Sequence, residues 1–340
     1  MRIGENPNKT KTEDGPSVKP LAEITVGVLN CIPNQIGYFK GQLDSLKLCL
    51  ASLRQNSDYP FDLLVMDNGS CTEVKSYLQN ELTLGHIDYL ILNNSNIGKA
   101  NAVLQILRSA PGDLVFYSDG DIFYRPGWIE AHLEVFKAFP EAGMMGGVPL
   151  RIEADFHTSG TLRWVEANKD RLIVEKGKLI PDEWTHSFLT SIGVPEQDFD
   201  RYFEKWQSLE DCRVTVNGVT AYVGASHAQY MIPRQAIELM PRQRFGQALN
   251  SIETQFVDRT LEEAGLMRLS TAQPYVYHIG NTLSEDWLKD EYKKLVEAST
   301  SHLANPNMKR RKHWFWGRWS VRSILRWIHE WTFKLYNQNA

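Results

Sequence analysis

From residue 21 to about 150 the hydrophobic positions switch repeatedly between a strand period and a helix period. Ile24–Leu29 is a short β-rich run, and Leu43–Leu53 carries apolar residues at helical spacing. Phe61–Met66 predicts a second strand, and Ser70-Cys-Thr-Glu73 after it has the form of a capping box that opens a helix. Tyr89–Leu92 predicts a third strand, Gly98–Leu107 a third helix and Leu114–Tyr117 a fourth strand. Pro126 then marks a helix start, and Trp128–Phe139 predicts the helix. Repeated strand–helix units of this size predict an α/β fold, a doubly wound and mostly parallel sheet flanked by helices.

In such sheets ligands bind beyond the carboxyl ends of the strands. Here those ends read Asn30, then Asp67-Asn68-Gly69-Ser70, then Asn93-Asn94-Ser95-Asn96, then Asp119-Gly120-Asp121. Four polar strand ends in succession predict a nucleotide-type pocket. Asp119 and Asp121 stand one residue apart, and clustered carboxylates are costly to keep ionised without a cation. Hard oxygen ligands with open positions suit Mg2+ or Mn2+ bridging to phosphates, whereas an isolated Asp-Gly-Asp also fits a solvated turn. Lys99 falls at a predicted helix start, where the dipole disfavours a cation unless an anion is near. It reads as a pyrophosphate or sugar contact, or else as a solvated surface lysine.

Beyond residue 150 the rhythm breaks. Trp164, Trp184 and Trp206 sit among charges without a clean period, which suits a sugar-binding surface or a helical insertion with its own small core. Val223–Ile232 then predicts another strand, Ile252–Ala264 a helix and Tyr275–His278 a strand running into Gly280. The chain divides into a leader over 1–20, two halves of one domain over 21–150 and 151–300, and a tail over 301–340.

The composition is ordinary for a soluble globular protein, and no apolar run is long enough to span a bilayer. Residues 1–20 are polar and lack a signal-peptide core, which predicts a disordered leader on a cytoplasmic protein. Cys31, Cys49, Cys71 and Cys212 have no metal-type spacing and read as reduced thiols. The net charge of −4 conceals an asymmetry: Met308–Lys334 carries eight basic residues against Glu330 alone, so the tail is +7 and the rest −11. Five of the ten tryptophans lie between 314 and 331, and Val321, Ile324, Leu325, Ile328, Trp331 and Leu335 share one helical face. A basic, Trp-rich amphipathic helix predicts peripheral attachment to an anionic membrane surface at its inner face. Docking on the domain or on a twin subunit is the alternative, and the acidic body argues against nucleic acid.

The motifs resemble those of the family-2-type glycosyltransferases with a GT-A fold, in order from residue 24 to 280. Leu64-Val-Met-Asp-Asn-Gly-Ser70 looks like the family's second-strand signature, and Asn96-Ile-Gly-Lys-Ala-Asn-Ala102 like its Asn-x-Gly-Lys-x-x-Ala segment. Tyr117-Ser-Asp-Gly-Asp-Ile-Phe-Tyr-Arg-Pro-Gly-Trp128 looks like its metal-binding DxD followed by the Pro-Gly-Trp helix entry. The resemblance implies a Rossmann-like GT-A domain that transfers sugar from a nucleotide-diphosphate sugar to a glycan or lipid-linked acceptor, with Mn2+ or Mg2+. It implies nucleotide-sugar contacts at Asn30, Asp67, Asn68, Asn96, Gly98, Lys99 and Asp119, and metal contacts at Asp119, Asp121 and His278. Trp184 and His227 fall on the implied acceptor side.

One departure stands out. The family's acidic helix pairs Glu with a basic-catalyst Asp, and here Glu253 is followed by Thr254. Thr is no general base at neutral pH, so Glu253 takes over, or Asp258 does, or the reaction retains configuration without a strong base. The departure also keeps open a non-catalytic nucleotide-sugar or glycan-binding module. A nucleotidyltransferase would need a Gly-rich loop after the first strand, and Asn30-Cys-Ile-Pro-Asn34 is not one.

Overall fold

In a computed structural model of the chain the residues described are 21–151, 158–201, 204, 209–242, 245–246 and 255–298. The leader over 1–20 and the basic tail over 301–340 lie outside them. The first half follows the sequence pattern closely. Strand β1 (Ile24–Asn30) leads to helix α1 (Gln42–Gln55), β2 (Asp62–Asn68) to α2 (Thr72–Thr83), and β3 (Tyr89–Asn93) to α3 (Lys99–Ser109). Strand β4 (Leu114–Asp119) precedes the short β5 (Ile122–Tyr124), α4 (Trp128–Ala138) and β6 (Ala142–Gly146). Every residue of β1 and β2 is buried, which is why they read as continuous apolar runs rather than alternating ones.

The second half contributes α5 (Ser159–Ala167), β7 (Ile173–Gly177), α6 (Asp182–Ser191), β8 (Asp211–Val216), β9 (Val219–Val223) and β10 (Gln229–Pro233). It continues with α7 (Arg234–Ile237), α8 (Phe256–Glu263), β11 (Met267–Thr271), β12 (Val276–His278) and α9 (Asp286–Tyr292). Ten strands form one sheet in the order β3-β2-β1-β4-β10-β6-β11-β9-β8-β7. The ladder β3-β2-β1-β4 is parallel, as is β6–β11, and β10 runs antiparallel between β4 and β6. Strands β9, β8 and β7 close the far edge as an antiparallel meander. One apolar core joins the halves, with Leu104 and Leu107 of α3, Ile232 of β10 and Val257 and Leu261 of α8 in a single cluster.

Two local expectations differ from what forms. The stretch Val223–Ile232 is not one strand: β9 ends at Val223, because Gly224 N–H donates to the Arg268 carbonyl and the Ala225 carbonyl accepts from the Arg268 guanidinium. The chain thereby turns from pairing with β11 to pairing with β4 and β6. The capping box at Ser70 does not form either. Ser70 Oγ accepts from Ile32 N–H at 2.8 Å and Asn30 Nδ2 at 3.1 Å, and α2 starts behind Cys71 with no side-chain cap.

His132 of α4 joins three elements. Its Nδ1 donates to the Trp128 carbonyl at 2.6 Å, its Nε2 accepts from Gln229 Nε2 at 3.3 Å, and Gln229 Oε1 accepts from Gly147 N–H at 2.8 Å. The ring is fully buried against Phe116 and Trp128. Burial outweighs both hydrogen bonds and pushes the imidazole down to about 4. His132 is therefore neutral when folded and protonates below about 6.5 when unfolded. Its share of stability is full above about pH 6.5 and is lost as pH falls toward 4. In urea unfolding at about pH 7.5 and 4.5, wild type loses about 2–3 kcal/mol more than His132→Gln over that interval; equal losses would refute the neutral ring.

Candidate functional site

The parallel ladder fixes which side chains meet at its carboxyl edge. Asn30 pairs in register with Asp67, Leu29 with Asp119, and Asn68 with Asn93. Asn30 Nδ2 donates to Asp67 Oδ1 at 3.2 Å, and Asp67 Oδ2 accepts from Ser70 N–H at 3.0 Å. Asn68 Nδ2 donates to Asn96 Oδ1 at 2.9 Å, while Asn68 Oδ1 accepts from Ile97 N–H at 3.0 Å. Asn96 Oδ1 also accepts from Gly98 N–H at 2.8 Å. Gly69, at φ +88°, is obligatory here, since a Cβ would stand 2.5 Å from Asn96 N. The sequence-predicted residues Asn30, Asp67, Asn68, Asn96 and Gly98 thus form one cross-braced rim, with Lys99 directly behind it at the start of α3.

Lys99 Nζ donates to Asp119 Oδ2 at 2.7 Å, and Tyr117 OH donates to Asp119 Oδ1 at 2.7 Å. Burial alone would lower the Lys99 ammonium, but the Asp119 carboxylate holds it above its ordinary value. Each Asp119 oxygen accepts one of these hydrogen bonds and keeps a further lone pair. Sequence reading missed Tyr117, which passed as one of the strand's apolar residues.

His278 reaches Asp121 through a short two-stranded ladder. Strands β12 and β5 pair antiparallel with His278 opposite Ile122, and Ile279 N–H donates to the Asp121 carbonyl at 2.7 Å. The His278 Nε2 atom lies 3.3 Å from Asp121 Oδ2. Burial raises the Asp121 carboxyl, but a hydrogen bond from His278, when its imidazole is protonated, and the Lys99 charge bring it below its ordinary range. Asp121 Oδ1 is buried without a hydrogen-bond partner. One orphaned oxygen beside an imidazole nitrogen is a donor set that fits Mn2+ or Mg2+, with open positions left for phosphate oxygens or water. Among the described residues no group of three or more His, Cys, Asp or Glu has ligand geometry, so the fit rests on Asp121 and His278.

Beside this pair lies a cavity of about 260 Å3. Its wall includes Trp184, Ser187, Phe188 and Ser191 of α6, Gln229 of β10, and His278. The α6 residues recur at i, i+3, i+4 and i+7, a helical signal present in the sequence but hidden among the flanking charges. His227 is partly buried in the turn before β10, and burial lowers its imidazole despite Asp258 nearby.

Asp258 is enclosed. It lies in the first turn of α8 with no exposed surface, paired with the equally buried Arg268 at 2.5 Å. Arg268 also donates to the Ala225 carbonyl at 2.6 Å, so the pair anchors the chain just after β9. Glu253 and Thr254 lie outside the described residues.

Residues 38–196 match the sequence model of Glycosyl transferase family 2. Over that stretch the chain is similar to this family. The family 2 segment takes in the rim from Asp67 to Lys99, the Asp119–Asp121 motif and helix α6. No curated protein matches the chain. Among solved structures, the chain is similar to S. aureus TarS 1–349 in complex with UDP-GlcNAc, at 15% identity and TM-score 0.31 over 39% of each chain. It is also similar to the mannosyltransferase PcManGT from Pyrobaculum calidifontis in complex with GDP-Man and Mn2+, at 15% identity and TM-score 0.41. That match covers 78% of this chain and 59% of the other. A third, S. aureus TarS, has 12% identity and TM-score 0.40 over 83% of this chain and 40% of its own. The chain thus spans less than two thirds of the length of each.

Breaking a buried ion pair by removing one partner costs about 3–5 kcal/mol, because the other charge stays buried. Asp258→Asn is expected to lower stability by about that amount, and Asp258→Leu with Arg268→Met to recover most of it. Chemical denaturation of the three proteins checks this. An Asp258→Asn variant of wild-type stability would return Asp258 to the list of possible bases.

Proposed function

We propose that the chain is a metal-dependent glycosyltransferase that moves a sugar from a nucleotide-diphosphate sugar to a saccharide or lipid-linked acceptor. The observation that carries this reading is the convergence, at one end of a family 2 sheet, of the Lys99–Asp119 pair, the Asp121–His278 pair and the adjoining cavity. In this reading Asn30, Asp67, Asn68, Asn96 and Gly98 hold the nucleotide, and Asp119 faces its ribose or the sugar. Breaking the bond between the anomeric carbon and the diphosphate leaves negative charge on the departing oxygens. Lys99, whose ammonium Asp119 keeps protonated, stands ready to face that charge at the mouth of the rim. A divalent metal bound by Asp121 and His278 would supply further stabilisation of the leaving diphosphate. Trp184 offers an apolar face to an acceptor sugar ring, with His227 assigned to the same side.

With Asp258 sealed against Arg268, Glu253 is the remaining acid assigned to accept the acceptor hydroxyl's proton. The placement on the cytoplasmic face of a membrane rests on the charge and tryptophan content of residues 308–334. Among the described residues no helix is long and apolar enough to cross a membrane.

A second reading is a nucleotide-sugar or glycan-binding module, favoured by Thr254 and by the burial of Asp258. Donor hydrolysis separates the two, since a binding module shows none above background with Mn2+ present. In a thermal-shift series of UDP-, GDP-, dTDP- and CMP-sugars, one nucleotide class is expected to stabilise the chain only with Mn2+. At 100 times the dissociation constant the gain is about 2.7 kcal/mol. Asp121→Asn should abolish metal-dependent transfer while melting near wild type; a fully active variant would sink the metal assignment.

A further inference from the structure

We propose that Ser191 is a positioning residue that fixes His278 in the tautomer whose Nε2 lone pair faces the cation site shared with Asp121. This rests on the metal-dependent reading of the site. Ser191 Oγ lies 2.6 Å from the Phe188 carbonyl oxygen, which can only accept, so the single hydroxyl hydrogen is spent there. The same Oγ lies 2.9 Å from His278 Nδ1, and so must accept a hydrogen from it. A neutral imidazole carries one N–H, which leaves Nε2 bare. That bare nitrogen lies 3.3 Å from Asp121 Oδ2.

Two acceptors that face each other without a hydrogen repel. A second ring proton would reconcile them, but it would serve one oxygen only, and Asp121 Oδ1 is buried and unpartnered as well. A divalent cation serves the nitrogen and the carboxylate together. Partners of this kind on the far ring nitrogen orient a ligating histidine and raise its basicity.

The fold holds Ser191 to this task. It is the last residue of α6, and a Cβ on Gly280, at φ +79°, would stand 2.5 Å from the Ser191 carbonyl oxygen. The helix end and the chain after His278 therefore touch backbone to backbone, which only glycine permits. The Phe188 ring meets the His278 imidazole edge-on at 6.3 Å, so carbonyl, hydroxyl and ring are set by one helical turn.

The test uses the full chain and Mn2+ alone as probe, with binding followed by electron paramagnetic resonance in wild type, Ser191→Ala, Ser191→Thr and Asp121→Asn. Ser191→Ala should weaken Mn2+ by roughly 10–100-fold at unchanged circular dichroism. Ser191→Thr, which keeps the hydroxyl, should bind near wild type, and Asp121→Asn should not bind. Long-range proton–nitrogen NMR of the wild-type His278 ring, at about pH 8 with Mg2+, should place the proton on Nδ1. Wild-type affinity in Ser191→Ala, with binding lost in Asp121→Asn, would overturn the role of Ser191 and leave the metal site standing. Absence of Mn2+ binding in wild type would overturn both. Should Ser191→Ala fail to fold, the Thr variant and the wild-type NMR decide, and a proton on Nε2 refutes the proposal.

Discussion

The in-register pairing of the four N-terminal parallel strands is the constraint on which the site depends. Pairing Asn30 with Asp67 and Leu29 with Asp119 brings every polar strand end to one edge at the same height. A slip of one residue would turn each side chain to the opposite face of the sheet. The buried runs of β1, β2 and β4 forbid that slip, because it would exchange what each face packs against. The stiffness of the rim is thus a property of the core beneath it, and the cross-bonds among Asn30, Asp67, Asn68 and Asn96 follow from it.

The first half of the fold was legible because β1, β2 and β4 are buried on both faces and all four parallel strands end in polar residues. Strand boundaries from Ile24 to Asp119 fell within a residue or two of those observed. The rest depended on contacts that local pattern does not carry. β5 and β12 are three residues each, too short for a period, and their pairing alone puts His278 beside Asp121. Family resemblance supplied that pair where spacing could not. Asp258 read as a possible base on the predicted 252–264 helix, and its seal against Arg268 follows from where β11 lies under α8. Ser70 had the form of a cap, but Ile32 and Asn30 offered it partners from outside its own segment.

The polar pairs divide by burial into two kinds of work. Asp258 and Arg268 are wholly enclosed, so neither can leave without exposing an unpaired charge to the interior. Lys99 and His278 keep 39% and 21% of their side chains exposed, and Asp119 and Asp121 keep 19% and 27%. Polar contacts open to solvent to this degree hold their partners weakly. They can trade one partner for another when a ligand arrives, whereas the enclosed pair keeps the chain just after β9 in place while they do so.

The insertion of antiparallel β10 between β4 and β6 governs the order in which this protein can be made. Strand β4, which bears the Asp119–Asp121 motif at its end, is synthesised more than a hundred residues before the strand that covers its second edge. Until β10 leaves the ribosome, a nascent chain carries an open, apolar strand edge, the type of surface on which chains pair wrongly. The acidic motif waits longer still, since the histidine that faces it comes later in the chain than β10. A polypeptide stopped near residue 150 would have the polar rim drawn in its sequence and no closed sheet to hold it.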